Sequence, residues 1–91
     1  MKQKIILDNR FLYKDTNEIP LKYQEYKLLK CLSDNLLHSK AQLIRKIGMK
    51  RTLNEKGNLA KHIFEIKKKT GLNIKTLKGV GYYLEDQIYV I

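Results

Sequence analysis

The stretch Asn58-Leu-Ala-Lys-His-Ile-Phe-Glu-Ile-Lys-Lys-Lys-Thr-Gly-Leu-Asn-Ile-Lys-Thr-Leu-Lys-Gly-Val-Gly-Tyr82 decides the fold. Laid out at about 100° per residue, its first half places Leu59, Ile63, Ile66 and Thr70 on one face and Lys61, Phe64, Glu65 and Lys68 on the opposite one. That is an amphipathic helix with an inward apolar stripe and a basic outward side. Asn58 is a suitable N-cap and Gly71 a suitable left-handed stop. Beyond it, Asn73-Ile-Lys-Thr-Leu77 and Tyr82-Tyr-Leu84 read as strands joined by the turn Lys78-Gly79-Val80-Gly81. The glycines supply the backbone freedom a tight turn needs. The stretch therefore predicts a basic helix that ends against a glycine-cornered hairpin.

Upstream, the period of the apolar residues identifies two further helices. From Leu21 to Leu36, Tyr26, Leu29, Leu32 and Leu36 recur at spacings of three and four with Leu28 alongside, a buried helical stripe. Cys31 flanks that stripe as a core thiol. Ser39 with Gln42 forms a capping box, so a short second helix starts at Lys40, turns Ala41, Leu43, Ile44 and Ile47 inward and stops at Gly48. His38, in the tight link between these helices, reads as solvent-facing. Met49 to Lys56 is a polar connector without a strong pattern.

The first twenty residues change to short β-rich runs, Lys4-Ile-Ile-Leu7, Phe11-Leu-Tyr-Lys14 and Glu18-Ile19, separated by the turn formers Asp8-Asn9-Arg10 and Asp15-Thr16-Asn17. Pro20 cannot sit inside a central strand. Ile88-Tyr-Val-Ile91 is either a further strand or a tail, and its apolar residues could serve as a contact or complete the core. The chain is thus read as one α+β domain over residues 1–91: a three-stranded antiparallel meander (1–20), a three-helix core (21–70), a hairpin (72–85) and a tail (86–91). That is a winged helix-turn-helix.

Composition narrows the function. The chain has 91 residues, 43% of them hydrophobic, and a formal net charge of +10. Much of the positive charge falls in the candidate helix and hairpin, where Lys56, Lys61, Lys67, Lys68, Lys69, Lys75 and Lys78 face only Glu65. Charge concentrated in this way is an electrostatic footprint for a polyanion. Arg10, Arg45 and Arg51 are the only arginines. Lysine binds phosphate as a point charge, whereas arginine forks onto guanine edges, so the balance favours backbone contacts. The lone Cys31 excludes an internal disulfide and a metal site of paired cysteines. No apolar run approaches the roughly 20 residues of a membrane span. No cofactor and no catalytic constellation is expected, and a cytoplasmic, bacterial, nucleoid-associated setting is.

These residues resemble the C-terminal effector domain of OmpR/PhoB-type response regulators. Thr76-Leu-Lys-Gly-Val-Gly-Tyr82 is similar to that family's wing signature, Thr-Val-Arg-Gly-Val-Gly-Tyr, and His62-Ile-Phe-Glu-Ile-Lys-Lys-Lys69 matches the register of its recognition helix. Leu21, Glu25, Tyr26, Leu28 and Leu29 match its first-helix pattern, and Ser39 to Leu43 its second. The resemblance covers roughly residues 4–84. Three departures stand out: Lys22 where a capping Thr is usual, Ile47-Gly48 where Val-Trp is common, and Ala60 where Asp is common. The last two lie near a loop that touches RNA polymerase in that family. The family's phosphoacceptor receiver domain has no counterpart in these residues, so the expectation is an excised fragment or a stand-alone domain.

The reading implies sequence-specific binding of double-stranded DNA, with the third helix in the major groove and the hairpin wing on the backbone or minor groove. Lys61 and Lys68 reach phosphates or guanine acceptors. Glu65 either pairs with Lys61 or Lys69 on the helix surface or accepts from cytosine N4 while repelling other bases. Phe64 contacts a thymine methyl or covers the hairpin. His62 is a core-edge imidazole or a phosphate donor, and Lys67 meets phosphate from the flank. Lys78 reaches the minor groove or its phosphates, with Thr76 and Tyr82 as hydroxyl donors, and Ser39 with Lys40 sets the second helix's start on a phosphate. Asn58 belongs to the same set. Two other readings stand beside this one: an adaptor that binds another regulator or RNA polymerase, and a non-specific nucleoid-type binder. A head-to-tail homodimer on direct-repeat DNA is the expected assembly.

Overall fold

The computed structural model describes residues 4–46 and 55–91, except for the side chains of residues 55–58. The β-rich N-terminal runs form β1 (Ile5–Asp8), β2 (Phe11–Lys14) and β3 (Asn17–Pro20), an antiparallel meander in the registers Ile5↔Lys14 and Phe11↔Pro20. Asn9 and Asp15 turn its two corners with φ of 55° and 57°. Their short polar side chains tolerate that left-handed conformation. Pro20 closes the edge strand, where its missing N–H costs no ladder bond.

The first helix, α1, spans Tyr23–Leu32 rather than Leu21–Leu36. Its start is fixed by Lys22, which is extended (ψ 156°) and makes no side-chain cap. A lysine side chain has no acceptor, so only the reciprocal half of a capping box forms: Lys22 N–H donates to Glu25 Oε1 at 2.8 Å. At the other end Asn35 turns left-handed at φ 61° and its amide donates to the carbonyls of Leu84 and Asp86, both at 2.8 Å. That anchor ends the helix early, so Leu36, expected on the buried stripe, is 63% exposed. Leu28, Leu29 and Leu32 are buried as the spacing requires, and Tyr26 and Cys31 pack at the edge of the core. Burial raises the Cys31 thiol pKa against the lowering influence of nearby lysines.

His38 corrects a sequence expectation. With Ser39 it forms the short strand β4 (His38–Ser39), pairs with Tyr82 and is only 7% exposed. Its Nε2 sits 2.9 Å from Asp34 Oδ1. Desolvation is the largest influence on the Asp34 carboxyl and raises it. The His38 ring, the Leu36 N–H and nearby Lys46 together outweigh that and hold it below the ordinary aspartate value.

The capping box then opens α2 (Lys40–Lys46) as expected: Gln42 N–H donates to Ser39 Oγ at 3.1 Å, and Ser39 N–H to Gln42 Oε1 at 3.2 Å. Leu43 and Ile44 are buried, but Ala41 is exposed. Ile47, the stop at Gly48 and most of the polar connector lie outside the described residues. The third helix, α3 (Glu55–Thr70), begins ahead of Asn58, so Asn58 is helical and not the N-cap.

After α3 come β5 (Ile74–Leu77) and β6 (Gly81–Leu84), paired antiparallel with Ile74 opposite Leu84. β4 adds to the far side of β6, so the wing is a 3-stranded sheet of order β4-β6-β5 and not a bare hairpin. The C-terminal residues also form a strand, β7 (Ile88–Val90), parallel to β1 with Ile5 opposite Ile88. The N-terminal sheet is accordingly 4-stranded and mixed, in the order β3-β2-β1-β7: the expected three-stranded antiparallel meander is present and is extended by one parallel strand. Ile88 completes the core, whereas Tyr89, Val90 and Ile91 stay exposed. One hydrophobic cluster joins both sheets to all three helices, from Leu7 and Leu12 through Leu28, Leu29, Leu43, Leu59 and Ile66 to Ile74 and Leu84.

Candidate nucleic-acid interface

The faces of α3 follow the 3.6-residue period. Leu59, Ile63, Ile66 and Thr70 are buried, and Lys61, Phe64, Lys67 and Lys68 are exposed, Phe64 at 65%. A ring that open leaves its apolar area available for burial by a partner. Neither Lys61, Lys67, Lys68 nor Lys78 has an ion-pair partner among the described residues. The helix therefore presents unneutralised ammonium groups and a bare ring on one side.

The C-terminal end of α3 is tied down. Thr70 Oγ1 donates to the Ile66 carbonyl at 2.6 Å and accepts from Leu72 N–H at 3.2 Å. Gly71 takes the expected left-handed stop at φ 72° and its N–H returns to the Lys67 carbonyl at 2.9 Å. Lys14 reaches from β2 to donate to the Thr70 carbonyl at 3.2 Å. A cation at this end also meets the negative pole of the helix dipole.

Glu65 is neither paired with Lys61 nor with Lys69. Its Oε2 lies 3.8 Å from Nζ of Lys22, ahead of α1. Lys69 is engaged by Glu25, a fully buried carboxylate whose Oε1 it meets at 2.9 Å. The first helix and the residue before it thus grip α3 through two ion pairs, a link that local spacing could not reveal because the partners are more than forty positions apart. His62 is half-buried on the same flank, and its Nδ1 is buried without a hydrogen-bond partner among the described residues.

At the wing, Thr76 and Lys78 are exposed, and the turn closes through Val80 N–H to the Leu77 carbonyl at 2.9 Å. The two glycines do different work. Gly79 has φ 80° and nothing within 4 Å of where a Cβ would stand. Gly81 has an ordinary φ, but a Cβ there would collide with the His38 carbonyl oxygen and lie 2.7 Å from His38 C and 2.9 Å from Ser39 Cα. Backbone freedom therefore accounts for Gly79, and the close approach of β4 for Gly81. Tyr82 departs from its expected place: it is 5% exposed and packs in the core, so it does not stand on the wing's surface. Ser39 and Lys40 sit half-exposed at the start of α2, with Ser39 Oγ already used in the capping box. The side chain of Asn58 lies outside the described residues. The structure brings Lys61, Phe64, Lys67 and Lys68 together on α3 and sets Thr76 and Lys78 on the wing. No cluster of His, Cys, Asp or Glu able to hold a metal occurs among the described residues, and no helix there is long and apolar enough to cross a membrane.

No family model and no curated protein matches this chain. Solved structures do. The DNA-binding domain of the response regulator AdeR, determined in complex with an intercistronic region, superposes with a TM-score of 0.79 over 94% of this chain and 98% of that one, at 20% identity. The C-terminal domain of the nisin resistance regulator NsrR, a lantibiotic response regulator, gives 0.69 over 84% of each chain at 26% identity. A streptococcal redox sensor from a family evolved from two-component response regulators gives 0.71 over 85% of this chain at 24% identity, and this chain spans 36% of its length. The fold is the winged helix of OmpR/PhoB-type response-regulator DNA-binding domains, as the wing and helix motifs imply.

Proposed function

We propose that this chain binds double-stranded DNA sequence-specifically in the service of transcription regulation, with α3 in the major groove and the wing on the adjacent backbone or minor groove. The observation that carries this reading is the outward side of α3, where Phe64 stands exposed and Lys61, Lys67 and Lys68 stand exposed without an ion-pair partner among the described residues. A major groove about 12 Å wide admits one helix, and a helix so charged has phosphate as its natural counterpart. Lys78 at the wing tip and Thr76 behind it extend the contact along the backbone. Such contacts fix register, while Phe64 and Glu65 are the side chains suited to base edges. The likeness to the AdeR domain supports the same reading.

Selection of sites from a random duplex library at about 150 mM salt, which suppresses weak electrostatic association, tests it. Recovery of a motif is the expected result. Retention without enrichment would mean non-specific binding, which the excess of lysine over arginine favours. No retention would point to a protein partner such as another regulator or RNA polymerase.

Two substitutions separate the helix from the wing. Lys68→Ala is expected to weaken DNA binding and to lower the slope of log K against log salt by about 0.9, one phosphate's worth; unchanged affinity would take α3 out of the interface. Lys78→Glu is expected to weaken DNA binding while shifting folding stability by no more than about 0.5 kcal/mol, as for an exposed site. Denaturant titration beside the binding assay checks both halves, and an unfolded variant would mean that Lys78 has a structural part to play.

A further inference from the structure

Glu65 is the only acidic residue between Lys56 and Lys78, on a helix whose other charged side chains exposed among the described residues are lysines. Its own helix does not neutralise it. Lys69 is taken by Glu25, and the cation that answers Glu65 comes from outside the helix, Lys22 at 3.8 Å. The placement of Lys22 is fixed by its backbone. Its N–H donates to Glu25 Oε1, the same oxygen that Lys69 Nζ meets, so one buried carboxylate registers the start of α1 against the C-terminal half of α3. The Lys22 side chain, 68% exposed, then reaches the 33% exposed carboxylate of Glu65.

We propose that Lys22 is a positioning residue for DNA readout that acts through Glu65, holding the carboxylate at the flank of α3 and offsetting its charge. The inference rests on the DNA-binding reading above. A carboxylate brought into a groove lined by phosphates is repelled by them, and that repulsion is useful only if the group still reaches a base donor such as cytosine N4. A cation placed beside it and away from the outermost face reduces the repulsion from the backbone without occupying the base edge. Lys22 supplies one, at the position where the resembling family carries a capping threonine.

Lys22→Thr is the informative variant, because threonine caps a helix well while removing the cation. Dissociation constants are to be measured for the wild type, K22T, Glu65→Ala and the double variant on the selected duplex, and on duplexes altered at the base pair where E65A relaxes preference. The expected result is a loss of about two- to fivefold on K22T when Glu65 is present, the scale of an exposed ion pair, and no loss when Glu65 is already alanine. K22T should also flatten preference at the same base pair as E65A. Equal losses in both backgrounds would overturn the inference by showing Lys22 on phosphate directly, and no loss in either would overturn it as well. Wild-type protein that retains no duplex would overturn the DNA-binding reading together with it, and only that outcome does so.

Discussion

Gly81→Ala is expected to destabilise the domain severely, whereas Gly79→Ala, two positions away on the same wing, should be mild. The Cβ of an alanine at 81 has no room: the His38 carbonyl group and Ser39 Cα are all backbone, so no side-chain rotation relieves the collision. β4 would have to leave β6, and with it would go the burial of His38 and the fixed start of α2. The cost should exceed roughly 3 kcal/mol, the upper end for an ordinary overpacked site, out of a total stability of about 5–15 kcal/mol. For a domain of this size that lowers Tm by roughly 10 °C or more. At Gly79 the only penalty is the left-handed backbone, about 1–2 kcal/mol for alanine, and asparagine should recover part of it. Thermal denaturation of the two alanine variants checks the contrast. Equal Tm shifts would mean that β4 does not approach β6 as closely as described.

Glu25→Ala should be comparably damaging, for an electrostatic reason. The carboxylate is fully buried, accepts from Lys22 N–H and from Lys69 Nζ, and leaves Oε2 without a partner among the described residues. Removing one member of a buried pair typically costs about 3–5 kcal/mol. Lys69 is about a third exposed, so water takes back part of its charge and about 2–4 kcal/mol is the better expectation. Glu25→Gln keeps an acceptor for Lys22 N–H and should lose less. Urea denaturation gives the order, and an alanine variant as stable as the wild type would show that the buried carboxylate contributes nothing net. Because the same residue aligns α1 with α3, the glutamine variant is also the one in which DNA affinity and stability can be compared without gross unfolding.

What could be read from the residues alone was whatever has a local period or a local turn. The Leu59, Ile63, Ile66 and Thr70 stripe, the Ser39–Gln42 box, the Gly71 stop and the Asn9 and Asp15 corners all stand as read, because each depends on residues within a few positions. The misreadings share an opposite character. Leu36 fits the helical spacing, yet an Asn35 amide reaching the carbonyls of Leu84 and Asp86 ends the helix before it. His38 and Ser39 are too few and too polar to carry a strand pattern, and only β6 makes them one. Tyr82 belongs to a recognisable wing motif whose spacing does not say which ring faces inward. The start of α3 at Glu55 has no apolar period to mark it. For the candidate site, the exposed lysines of α3 and the wing were legible from the helical projection, but the partners of Glu65 and Lys69 were not. They come from α1 and the residue before it, and a helical wheel has no place for them.

The parallel pairing of β7 with β1 sets an order of assembly. Ile5 lies opposite Ile88, and the Ile91 N–H reaches the Leu7 carbonyl at 2.9 Å, so the last strand closes a loop of nearly the whole chain. Such closure slows folding more than it weakens the folded state, because its entropic cost grows only with the logarithm of loop length. During synthesis the Ile5-Ile-Leu7 segment can pair with β2 on one side as soon as that hairpin emerges, yet its other edge has no partner until residues 88–90 leave the ribosome. An apolar strand edge that waits is where nascent chains associate with one another. The few residues of β7 therefore shield that apolar edge only after the helices and the wing that separate it from β1 have been made.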